Sequence, residues 1–120
     1  MLDDEIARAV GEFRSAAEQK ADGGSSPKED ARLHAQMSAA WHCLDAFGGA
    51  GRSAFKRLLQ DPSPYVRSWV AAQLLSDGDV DGEPVLEEIE AQGGMRGFIA
   101  RMTLDQWRKG KLGSPFPANR

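Results

Sequence analysis

The chain has 120 residues, 41% of them hydrophobic, a net charge of −3 and a single cysteine. That length supports one modest core. The acidic balance argues against a phosphate-binding surface, and one thiol excludes an internal disulfide.

Residues 2–20 predict an amphipathic helix, with Leu2, Ile6, Ala9, Val10, Phe13, Ala16 and Ala17 on one face and Asp3 and Asp4 at its N-terminal end. Its acidic start does not read as a signal peptide, and no apolar run approaches the roughly 18 residues of a membrane span. A reducing, cytoplasmic setting with no membrane partner is the expectation. Residues 21–26 are a glycine- and serine-bearing loop. Ser26-Pro27-Lys28-Glu29 is a capping box with proline at the first helical position. The second helix then runs to about Phe47, with Leu33, Met37, Ala40/Trp41, Leu44 and Phe47 as its apolar positions, and Gly48-Gly49-Ala50-Gly51 ends it.

A short third helix covers 52–60. Pro62 disfavours helical geometry at Asp61 and so helps stop it. Ser63 caps a fourth helix over 64–76, and Pro64 occupies its first position, where a missing N–H costs nothing. Val66, Trp69, Val70 and Leu74 form its apolar face. A fifth helix over 84–91 and a sixth over 95–109 follow, the sixth burying Phe98, Ile99, Met102 and Trp107. The domain is expected to span 1–110, with 111–120 a tail that is ordered only if Leu112 and Phe116 pack back onto the body. Helix formers dominate over β-branched residues throughout, which points to an all-α fold.

The chain also repeats itself. Val85, Leu86 and Ile89 mirror Phe55, Leu58 and Leu59. Residues 95–104 overlay 66–75 without a gap, so that Phe98 falls on Trp69, Ile99 on Val70, Ala100 on Ala71 and Leu104 on Leu75. A period near thirty residues is the mark of a helical-hairpin solenoid. Phe55, Val70 and Phe98 are then expected to share one continuous apolar interior.

Around Asp61, Pro62, Val66, Arg67, Ala71, Ala72 and Leu75 the pattern resembles HEAT and armadillo-type repeats, over roughly residues 52–108. The second copy lacks the Asp-Pro turn. The late run Arg96-Gly97-Phe98-Ile99-Ala100, with Leu104, Trp107 and Gly110, also resembles a small bacterial family of uncharacterised HEAT-like proteins. The resemblance implies an α-α superhelix of about three antiparallel hairpins. It also implies that Asp61, Pro62 and Arg67 are structural, with Asp61 and Arg67 the polar pair that ties the turn to neighbouring repeats.

Few residues suggest chemistry. His34 and His42 are about 12 Å apart along one helix, too far to share a metal, and Cys43 points away from its neighbour. The glycine clusters lack the strand before and the Lys-Ser/Thr after that a phosphate loop requires. Asp77, Asp79, Asp81, Gly82 and Glu88 meet the bare spacing of a calcium loop, but Pro84 should start a helix that carries Glu88 beyond it. A solvated turn is the preferred reading. The expectation is therefore a non-enzymatic protein with no cofactor and no metal. It would bind another protein on the concave side of the stack, in the manner of an immunity or antidote protein, through Tyr65, Trp69, Gln73, Arg101 and Arg108. Trp41, Trp69 and Trp107 are read as core. The alternative is an accessory protein acting on nucleic acid or on an enzyme partner.

Overall fold

A computed structural model of the chain describes residues 2–21 and 26–117. The described residues are helical, with no strand. They comprise α1 (Leu2–Ala21), α2 (Pro27–Ala46), α3 (Gly49–Arg57), a 3-10 turn (Leu58–Gln60), α4 (Pro64–Ser76), α5 (Gly82–Gln92) and α6 (Gly94–Arg108). Most of the loop expected at 21–26, and the last residues of the tail, lie outside the described residues. The contacts divide the chain into two units, one of residues up to Arg57 and one of Leu58–Pro117.

In the first unit α1 and α2 pair antiparallel. Lys20 reaches Asp30 at 2.8 Å near one end, and Gln36 donates to the Glu12 carbonyl at 3.0 Å further along. Ser26 caps α2 by accepting from the Glu29 N–H at 3.1 Å, with Pro27 at the first position. Glu29 also binds Arg32, and that hydrogen bond holds its carboxyl below the usual carboxylate range. Ile6, Ala9, Phe13, Ala16 and Ala17 of α1 are buried, as are Leu33, Met37, Ala40 and Leu44 of α2. Leu2, at the helix end, is exposed. Phe55 of α3 meets the Phe13 ring edge-on, centroids 5.1 Å apart, with Trp41 at 6.4 Å.

The glycine cluster after α2 does not stay a loop. α3 begins at Gly49, so Gly49, Ala50 and Gly51 are helical. Close approach explains this: a Cβ on Gly51 would lie 1.8 Å from the Leu44 carbonyl oxygen. Glycine's poor helix propensity, about 1 kcal/mol, is outweighed by the packing it permits.

In the second unit two successive hairpins, α4–α5 and α5–α6, enclose a core of Ala71, Leu75, Leu86, Ile89, Ala100 and Leu104. Leu59, Val85, Trp107 and Leu112 pack against that core. The turn before α4 is built as the sequence suggests. Ser63 Oγ accepts from the Val66 N–H at 3.5 Å, and Asp61 Oδ2 accepts from the Ser63 N–H at 3.0 Å. Arg67 Nη1 donates to the Asp61 and Pro62 carbonyls at 2.6 and 3.0 Å. Through these bonds Asp61 and Arg67 brace their own turn, where the resemblance implies a tie to neighbouring repeats.

Within the first unit α3 packs on α1 and α2, and within the second the 3-10 turn packs on α4. One expectation needs correction: α6 does not bury Phe98, Ile99 or Met102, which are 57%, 54% and 46% exposed, and Met95 is 73% exposed. Its inward face is Gly97, Ala100 and Leu104. Phe55 and Val70 are buried as expected; Phe98 is not.

Gly51→Ala should lower stability by about 2 kcal/mol through overpacking against α2. Gly11→Ala, where an added methyl meets nothing within 4 Å, should raise it by about 0.5–1 kcal/mol. Urea denaturation of both variants checks the pair of signs. Arg67→Ala should cost about 1.5–3 kcal/mol by removing charge-assisted bonds to two carbonyls, with Arg67→Lys recovering part of the loss in the same assay.

Candidate functional site

The second unit holds the residues of interest, and the five expected at a binding surface take different positions there. Tyr65, in the first turn of α4, is half-buried, with the Arg96 guanidinium 4.6 Å from its ring centroid. That contact ties the start of α4 to the start of α6 by cation–π attraction. Trp69, one turn further on, is half-buried against Phe116 of the tail, centroids 5.9 Å apart.

Gln73 is wholly buried. Its Nε2 donates to the Asp77 carboxylate at 3.1 Å, and its Oε1 accepts from Ser114 Oγ at 2.8 Å. Ser114 Oγ in turn accepts from the Phe116 N–H at 3.1 Å. A buried amide with both ends bonded is a structural group, because leaving either end unpaired would cost the full desolvation penalty. Gln73 therefore leaves the surface set. It fastens the tail, whose Phe116 is buried and whose Leu112 packs on the core.

Arg108 reaches from α6 to two carboxylates of α5, Glu83 at 3.2 Å and Glu87 at 3.1 Å. The basic α6 and the acidic α5 thus complement each other directly. Arg101 is exposed and makes no ion pair among the described residues.

What size and hydrophobicity concealed in the sequence is the stripe Met95, Phe98, Ile99 and Met102. The spacing of three, one and three places all four on one side of α6, opposite Gly97, Ala100 and Leu104. The internal repeat sharpens the point. Ala100 and Leu104 overlay Ala71 and Leu75, and all four lie in the same core. Met95, Ile99 and Met102 overlay Val66, Val70 and Gln73, which are wholly buried in α4. The same register thus has one covered face in both helices and a second face covered only in α4.

The remaining chemistry-bearing residues are scattered. His34 and His42 are half-buried, and His42 stands edge-on to Trp41 at 4.8 Å. Cys43 is exposed in a groove of about 270 Å³ between α1 and α2, beside Glu5, Arg8 and Glu12. The acidic segment is split between elements. Asp77 closes α4 and accepts from Gln73, Asp79 Oδ1 accepts from the Asp81 N–H at 3.0 Å, and Glu88 is exposed in the second turn of α5. Among the described residues no three of His, Cys, Asp and Glu converge as a metal site. No described helix is long and apolar enough to cross a membrane.

Phe116→Ala should cost about 3 kcal/mol, release the tail from α4 and expose Trp69. Urea denaturation combined with a red shift of tryptophan emission in the native state checks both effects. No protein-family model matches the chain, and neither a curated protein nor a solved structure shows detectable similarity to it.

Proposed function

We propose that the chain is a non-catalytic protein–protein interaction module of the HEAT/armadillo-like type. Its helix hairpins are read as layers of an α-α superhelix, and its binding surface is carried by α4 and α6, the second helices of successive repeats. The observation that supports this most is the exposed stripe of α6. Large apolar side chains in water are unfavourable, at about 25 cal/mol per Å², and contiguous exposed patches on monomers are often functional. Here Met95, Ile99 and Met102 occupy repeat positions whose counterparts in α4 are buried, and Phe98 answers to the half-buried Trp69. In helical-repeat arrays an end layer needs a polar outer face to stay soluble alone. An apolar end face suits a chain that meets a partner there. Tyr65 and Arg101 remain in the surface set, and an immunity- or antidote-type role fits such a dedicated binder.

An accessory protein acting on nucleic acid is the competing reading. It draws on the arginines of α6, yet Arg108 is neutralised by Glu83 and Glu87, Arg96 sits over Tyr65, and the whole chain is acidic.

Capture from the host extract followed by size exclusion should give a discrete complex of fixed stoichiometry with one other protein. The chain should pass through immobilised DNA at low salt. Retention on DNA that is lost as salt rises would instead favour the phosphate-binding alternative.

A further inference from the structure

The stripe on α6 has a chemical character that narrows what can cover it. Met95, Phe98, Ile99 and Met102 leave on the order of 400 Å² of apolar surface open, the size of the largest patch on an ordinary monomer. That is about half of the ~800 Å² that each partner buries in a stable pair. A stable complex through this face therefore needs further contacts at its margins. The margins are cationic. Arg96 and Arg101 lie on either side of the stripe, and Asp105, the acidic residue nearest to it on α6, is engaged by Lys109 at 2.9 Å. Of the three arginines of α6, Arg108 is already paired with Glu83 and Glu87 and Arg96 faces Tyr65, so Arg101 carries the uncommitted charge.

We infer that this face is covered by an amphipathic helix of another protein, apolar along the contact and acidic at its flanks, packing on α6 as the next helical layer. The inference rests on the protein-binding reading and adds the surface and the chemistry of the partner. A second copy of the chain is a poorer occupant. Pairing α6 with itself would give the uncommitted Arg101 of each copy a margin whose one α6 carboxylate, Asp105, is already held by Lys109, a poorer electrostatic match than an acidic flank. Met95 and Met102 suit the proposed role, because the thioether chain adapts its shape to a facing side chain. Arg101 supplies the charge that selects an acidic flank over a basic one.

Two synthetic 18-residue helical peptides test the inference by fluorescence anisotropy against the full chain. They share one leucine stripe; glutamates flank it in one and lysines in the other. The glutamate peptide should bind saturably and about tenfold more tightly than the lysine peptide. Phe98→Ser and Ile99→Ser, both at exposed positions and verified to melt like the parent, should each weaken it by about tenfold. Arg101→Glu should reverse the preference between the peptides. Equal binding of the two peptides, binding of neither, or unchanged binding by the serine variants overturns the inference. So does a dimer in light scattering that Phe98→Ser abolishes, since that makes the stripe a contact between copies. If a captured host partner still binds the serine variants, the α6 surface is wrong while the protein-binding module stands.

Discussion

In the unit from Leu58 to Pro117, helices can approach closely only where their facing side chains are small. A Cβ on Gly97 would lie 2.9 Å from the Glu90 carbonyl oxygen, and Ala71 and Ala100 line the same core. With α5 and α6 that close, the inward side of α6 has no room for Phe98 or Ile99. Leu104, one turn beyond, fills the space that opens. The bulk of α6 therefore has to face outward, and the exposed stripe follows from the packing on the opposite side. Substituting the inward small residues would disturb the fold, whereas substituting the outward large ones would disturb only what meets them.

The rest of the unit secures this arrangement with polar contacts at its edges. Arg67 holds the carbonyls of the turn that launches α4, and Arg96 over Tyr65 aligns the starts of α4 and α6. Arg108 fastens the far end of α6 to α5 through Glu83 and Glu87. These last pairs are about half exposed, so each contributes little alone, but they leave the charges of α6 committed at that end and uncommitted near Arg101. Gln73 ties the tail back through Ser114, and every buried side-chain polar atom among the described residues has a partner. The division between a satisfied interior and an unsatisfied apolar surface is sharp, and it falls along α6.

Much of the helical framework was legible in the residues. Ser26-Pro27 and Ser63-Pro64 mark the starts of α2 and α4 because caps and first-turn prolines act locally. Phe13, Leu33, Met37, Leu44, Leu86 and Ile89 were readable as core from their spacing. The misreadings share one physical origin. Spacing reports which residues share a helix face but not which face turns inward, and α6 is apolar on both. Large size suggested that Phe98 and Ile99 were core, whereas Gly97 and Ala100 determined the packing through their smallness. Gly49 and Gly51 misled in the same way, since local propensity marked a loop where a close α2–α3 contact required a helix. The burial of Gln73 depended on Ser114, forty-one residues away, which no local pattern encodes.

Hydroxyl-radical footprinting read by mass spectrometry tests the central claim on the unmodified chain, at a concentration where it is monomeric. Met37 is wholly buried, while Met95 and Met102 are 73% and 46% exposed. The account predicts rapid oxidation of Met95 and Met102 and labelling of Phe98, with Met37, Phe13 and Phe55 protected. Protection of Met95, Phe98 and Met102 to the level of Met37 would contradict it, because α6 would then be packed with its large side chains inward.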